Sequence, residues 1–196
     1  MDVKIGVLAL QGDVSEHIRA FEGALRQTGS SGDGAVIPLR KADQIPDLDA
    51  IAIPGGESTT ISRLIDKNGM YIPLKEFEGG IFATCAGMVI MATEVDDPRV
   101  HPLGLIGIEV QRNAFGRQKE SFEMDLPVTG LESPFHAIFI RAPVAVRHDP
   151  GVRVLARIDA GIVAVTSGKH MALAFHPELG NDYRLHRQFL ENLGPA

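Results

Sequence analysis

Cysteine is nearly absent from this 196-residue chain, Cys85 being the only one, and tryptophan is missing altogether. A lone cysteine excludes an intrachain disulfide, and it excludes a zinc site built from several thiolates, the deaminase type included. It suits a reducing compartment, and the cytoplasm is the expected location. Basic residues are in deficit as well: 19 Lys and Arg against 25 Asp and Glu leave a net charge of −6. With no Lys/Arg run to track phosphates, nucleic acid is not expected as a partner. The longest apolar stretches, around 86–92 and 171–175, are far shorter than the roughly 20 residues that span a bilayer. The opening Met1-Asp2-Val3-Lys4 carries no apolar leader, so neither secretion nor a membrane partner is expected. What remains is 44% hydrophobic and 22% charged, which is ordinary globular composition, and the length suits one domain over residues 1–196.

Strand-length apolar runs alternate with helix-period segments through the first half, which predicts βα units on a parallel sheet. Residues 3–10 read as a strand, and Asp13-Val14-Ser15-Glu16 as a helix N-cap followed by a carboxylate three residues on. Val14, Ile18, Phe21 and Leu25 share one face of that helix. The glycine-rich 29–34 segment predicts a surface loop, Ala35 to Leu39 a second strand and Asp49 to Ile53 a third. A helix then buries Ile61, Leu64 and Ile65 and ends near Gly69. Ile81 to Thr84 is a fourth strand, leading through Cys85 into an apolar helix from Met88 to Thr93. From Leu103 onward, shorter β-rich segments at 105–110, 119–125, 136–140, 152–158, 161–166 and 170–175 predict antiparallel additions to the sheet. An amphipathic helix over 182–193 closes the chain and buries Leu185, Phe189 and Leu190.

Ala83-Thr84-Cys85-Ala86-Gly87 has the pattern of a nucleophile elbow with sulfur in place of oxygen. A sharp strand-to-helix turn crowds its neighbours, and Ala83 and Gly87 are small enough to allow it. The positive end of the following helix would face the sulfur and favour the thiolate, and the Ala86 N–H is a natural oxyanion donor. The plainer reading is a cysteine buried as a small hydrophobe. A thiolate that splits an amide needs a proton carrier, and Phe175-His176-Pro177-Glu178 offers His176 with Glu178 to orient its ring; His-Pro also simply ends strands. Pro54-Gly55-Gly56-Glu57-Ser58 follows the third strand at the edge where open α/β sheets bind ligands. Its glycines let backbone N–H groups cradle an anion, and Glu57 can meet a substrate ammonium. Against this stands an ordinary turn capped by Ser58 or Thr59. Arg112 and Arg141 each follow a strand and can fork onto a carboxylate, or lie solvated on the surface. The other six histidines, His17 among them, lack ligand spacing and read as structural or surface residues, so no metal site is expected.

Taken in order, these blocks resemble one family: the glutaminase subunits of two-subunit pyridoxal 5'-phosphate synthases, triad-type (class I) glutamine amidotransferases. The similarity runs through Leu8-Ala9-Leu10-Gln11-Gly12, Pro54 to Thr60, Thr84 to Gly87, Arg112 to Gln118, Phe139 to Pro143 and Phe175 to Glu178. It implies an α/β three-layer sandwich of flavodoxin-like type around a mostly parallel sheet. It also implies a Cys85, His176 and Glu178 triad, with L-glutamine held by Gly56, Glu57, Ser58, Arg112, Ile140 and Arg141. The oxyanion hole would draw on Gly56 and Ala86 and form fully only when the synthase subunit, a (β/α)8 barrel, docks near Gln11. Ammonia would pass to that subunit, to be joined to ribose 5-phosphate and glyceraldehyde 3-phosphate, and this chain itself would bind no cofactor. Ala83 stands where the family often has glycine, and the 29–34 loop is longer than usual. A cysteine-elbow peptidase and a non-catalytic subunit are the rival readings.

Overall fold

A computed structural model describes residues 3–28, 34–115 and 121–194. The 29–34 loop, apart from Gly34, lies outside the described residues, as do Gly116-Arg117-Gln118 and the first two positions of the 119–125 segment. The elements run β1 (Lys4–Leu8), α1 (Val14–Gln27), β2 (Ala35–Leu39), β3 (Ala50–Ile53), α2 (Ser58–Lys67), α3 (Tyr71–Lys75), β4 (Gly80–Thr84), α4 (Ala86–Met91), β5 (Ala92–Val95) and β6 (Ile106–Gln111). They continue with β7 (Ser121–Leu126), β8 (Phe135–Ile140), β9 (Val144–His148), β10 (Arg153–Ile158), β11 (Gly161–Ser167), β12 (His170–Leu173) and α5 (Arg184–Asn192).

The main sheet has the order β2-β1-β3-β4-β12-β11-β9-β6-β5, with β10 paired to β11, and β7–β8 forms a separate hairpin. From β2 to β12 every pairing is parallel. Every residue of β3 and β4 is buried, as expected for strands covered on both faces. Alternation along β4 shows what covers them. Phe82 packs against Phe21 of α1 at 5.3 Å and Phe189 of α5 at 5.3 Å between ring centroids. Its neighbour Ala83 points the opposite way, toward Gly87 of α4. Successive strand residues face opposite sides, so α1 and α5 cover one face and α4 the other. The result is three layers, a mostly parallel α/β sandwich. Phe82 anchors the α1/α5 side, and its truncation to alanine would cost about 3–5 kcal/mol. His186 is wholly buried in the same cluster, where burial pushes its pKa down to about 3.

Four expectations are corrected. The apolar helix after Cys85 ends at Met91, and Ala92–Val95 leaves it as β5, pairing parallel to β6. The pattern had carried the helix to Thr93, but β-branched Thr93 and Val95 fit the sheet edge better. Strand β9 had no expected counterpart, its buried Val144 and Ala145 giving way to exposed Val146 and Arg147. The 170–175 segment is not an antiparallel addition on its β4 side: β12 sits beside β4 in parallel register, Ala172 with Ala83 and Leu173 with Thr84. Asp13 occupies the N-cap position of α1 without a side-chain cap hydrogen bond, for a reason found in the site below.

Candidate active site

Strands β4 and β12 are neighbours that run the same way, so the residues just past their ends emerge at one edge. These are Cys85 and His176. The Cys85 N–H donates to the Leu173 carbonyl at 2.8 Å, and the His176 N–H donates to the Ile138 carbonyl of β8 at 2.9 Å, fixing both backbones. Cys85 has φ 48° and ψ −105°, a left-handed conformation that a side chain tolerates only under strong constraint. The constraint is visible at Gly87, where a Cβ would overlap the Ile53 carbonyl oxygen and stand 3.2 Å from the Ala83 Cβ. The turn is therefore as crowded as the small residues around Cys85 implied.

His176 and Cys85 both stand against Gly55 at this edge, and Cys85 is among the groups that raise the His176 pKa. The His176 Nδ1 lies 2.7 Å from Glu178 Oε1, with Glu178 closed to solvent. Burial opposes a charge on the imidazole, but the hydrogen bonds and charges of Cys85 and Glu178 outweigh it and push His176 up to about 10. Burial also works against the Glu178 carboxylate; His17 and His176 together hold it well below the usual range. Asp13 Oδ2 stands 3.6 Å from the same Nδ1. Its side chain faces His176 instead of capping α1, and burial raises its carboxyl. Asp13, His176 and Glu178 thus bring three potential metal-ligand atoms within 4.8 Å, a proximity that their shared contact with Nδ1 accounts for without an ion.

A cleft of about 360 Å³ opens beside Cys85, within the roughly 300–1,000 Å³ of small-molecule sites. Gln11, Gly56, Glu57, Ser58, Ala86, Arg112, Ile140 and Arg141 all line it with Cys85 and His176. Gly55 packs against both side chains: a Cβ there would overlap the His176 ring and stand 3.4 Å from the Cys85 Cβ. Gly56 adopts φ +148°, and Gln11 Oε1 accepts the Glu57 N–H at 2.9 Å. The Ala86 N–H belongs to the first turn of α4, whose donors have no partner within the helix. The Cys85 thiol reaches the Ile140 carbonyl at 3.7 Å.

Two side chains sit otherwise than their sequence reading suggested. Glu57 is the N-cap of α2, accepting the N–H groups of Thr59 at 3.3 Å and Thr60 at 2.8 Å, while Arg112 Nη2 binds it at 3.0 Å. Against the cost of burial, the hydrogen bonds from the hydroxyls and N–H groups of Thr59 and Thr60 lower its pKa to about 2. Glu57, and neither Ser58 nor Thr59, therefore caps the helix, and its carboxylate also holds Arg112. Arg112 is likewise held between Glu57 and Asp97. Arg141 is exposed, with φ 44°, and makes no side-chain hydrogen bond or ion pair among the described residues. Sequence reasoning missed His17, Thr84 and Asp97 as parts of this site. His17 left one signal, an imidazole on a helical stripe that continues through Phe21 and Ala24 and is wholly buried.

Comparison with known proteins identifies the family and the fold. The model of the SNO glutamine amidotransferase family matches residues 7–194. A protein of Methanosphaerula palustris named pyridoxal 5'-phosphate synthase subunit PdxT is 68% identical over 99% of both chains. Its namesake in Methanoregula boonei is 64% identical over 98% of this chain and 100% of that one. A crystal structure of a glutamine amidotransferase superposes with a TM-score of 0.85 at 45% identity, covering 97% of this chain and 99% of that one. Another, from Thermotoga maritima, covers 98% and 84% with a TM-score of 0.63 at 12% identity, a likeness of fold alone. No helix among the described residues is long and apolar enough to cross a membrane. The chain belongs to the SNO glutamine amidotransferase family.

Proposed function

We propose that residues 1–196 form one glutaminase domain that hydrolyses L-glutamine to L-glutamate and ammonia. The ammonia is handed to a separate (β/α)8-barrel subunit of a cytoplasmic pyridoxal 5'-phosphate synthase. The observation that carries this reading is Cys85, held at positive φ beside a His176 that Glu178 orients. Relatives named as the PdxT subunit match over nearly their whole length, and that supports the synthase as the destination.

The Cys85 thiolate attacks the side-chain amide carbon, and the N–H groups of Gly56 and Ala86 receive the oxyanion. His176, protonated, gives its proton to the departing ammonia, leaving a glutamyl thioester. Water attacks that thioester, with His176 now accepting the proton, and glutamate leaves as the thiolate is restored. Arg141 is the cation available for the α-carboxylate, since Arg112 is already paired. Glu57 contributes by holding Arg112 and the start of α2, and Ser58 and Ile140 line the same cleft. The Gly55-Gly56 peptide is bracketed by hydrogen bonds to its two neighbouring peptides: Thr84 accepts the Gly55 N–H at 3.1 Å, and Gln11 accepts the Glu57 N–H at 2.9 Å. A barrel subunit docking near Gln11 acts on that peptide, and one oxyanion donor is worth about 3 kcal/mol, enough to switch turnover. The test is ammonia release from glutamine by the protein alone and with its cognate barrel. Slow release alone and fast release in the complex is expected; partner-independent peptide cleavage without glutamine turnover would favour a peptidase instead.

A further inference from the structure

His17 is wholly buried on the inner face of α1. Burying an imidazole costs free energy unless its nitrogens find partners. Its Nε2 finds two: Thr84 Oγ1 at 3.0 Å and Glu178 Oε1 at 3.4 Å. Its Nδ1 has none among the described residues. Each partner leads to the reacting centre by a different route. Glu178 Oε1 is the same oxygen that meets His176 Nδ1 at 2.7 Å. Thr84 immediately precedes Cys85, and its Oγ1 accepts the Gly55 N–H at 3.1 Å.

From this junction we infer that His17 is a positioning residue of the glutaminase, a single buried N–H that ties the carboxylate behind His176 to the loop carrying Gly55 and Gly56. The inference rests on the reading of Cys85, His176 and Glu178 given above.

The proton count supports the assignment. An ionised carboxylate only accepts, so the His17 nitrogen facing Glu178 carries a hydrogen. A hydroxyl has two lone pairs, and Thr84 uses them for the Nε2–H of His17 and the N–H of Gly55. The Gly55 nitrogen is thereby pinned toward the strand, leaving the next peptide as the part that can turn toward the oxyanion. With His17 in place, the Glu178 Oε1 that meets His176 Nδ1 has a second donor beside it. Without it, the carboxylate loses its second donor, and Thr84 loses one of the two groups that fix its rotamer. The charged or titratable groups around this junction are Glu178 and His176 after β12, Asp13 at the start of α1 and His186 of α5, whose ring centroid is 6.5 Å from that of His17.

The test compares His17→Phe, His17→Asn and His17→Gln with wild type in complex with the cognate barrel, reading kcat, KM and the pH profile of glutamine hydrolysis. The phenylalanine variant keeps the packing and loses the donor; kcat should fall roughly tenfold to a hundredfold with KM little changed. The alkaline limb of its profile should move to lower pH. Glutamine can place an amide N–H where Nε2–H stood and should restore most of kcat, whereas the shorter asparagine should not. This ordering keeps the test decisive even where the phenylalanine variant fails to fold. Equal impairment of the glutamine and asparagine variants, or a folded His17→Phe with wild-type kcat and pH profile, overturns the inference. A wild-type complex silent toward glutamine overturns the reading of the site itself, and the inference with it.

Discussion

His176 Nδ1 and Glu178 Oε1 are 2.7 Å apart with both side chains nearly closed to solvent, so the carboxylate fixes which ring nitrogen faces Cys85. Glu178→Gln keeps the shape and removes the charge. Glutamine turnover in the complex should fall by up to roughly 10,000-fold in kcat, the loss seen when the orienting carboxylate of a serine triad is neutralised. Losing the carboxylate lowers the His176 pKa, so the alkaline limb of kcat/KM should move to lower pH, read from a pH–rate profile.

The same pair sets a pH signature on stability. The His176 contribution is complete below its unfolded value of 6.5 and is lost as pH rises through about 10. The Glu178 contribution is complete above its unfolded value of 4.5 and is lost as pH falls below it. Linkage therefore makes the Tm gap between wild type and Glu178→Gln widest between those unfolded values, closing toward strong acid and toward pH 10. Thermal melts over a pH series measure it, and a gap independent of pH would contradict the charged pairing.

Gly87→Ala puts a methyl group against the Ile53 carbonyl and Ala83. Backbone on one side and a packed strand on the other leave little room to yield, so a loss of about 1–3 kcal/mol is expected in denaturant unfolding. Cys85 lies two residues away on the same turn. Glutaminase activity measured where the variant is still folded should fall further than the unfolded fraction explains.

Arg141 and Arg112 should separate by readout. Removing the exposed Arg141 charge, in Arg141→Gln, is expected to raise KM for glutamine roughly tenfold to a hundredfold with Tm unchanged. Arg112→Gln leaves Glu57 and Asp97 without their shared cation, so Tm should drop along with activity.

Much of this site is legible in the chain because its parts are local. Cys85 between Ala83 and Gly87, the glycine pair after β3, and a histidine two residues before a glutamate each declare a turn and a chemistry within a few positions. The alternation of strands and helices likewise gave β1 through β4, since βα units are built from contiguous sequence. What stayed hidden depends on distant pairing. Nothing near residue 170 says that β12 will dock beside β4, yet that pairing joins Cys85 to His176. Strand β9 is short and half exposed, with no alternation long enough to announce it. The commitment of Glu57 to Arg112 spans 55 positions, and His17 reads as core because its partners, Thr84 and Glu178, arrive from elsewhere in the sheet.

The most direct test of the central claim is to quench the complex in acid during glutamine turnover and weigh the peptide that contains Cys85. A glutamyl adduct on that peptide in wild type, absent from a folded Cys85→Ala that releases no ammonia, is the predicted result. Undiminished ammonia release by Cys85→Ala would contradict it.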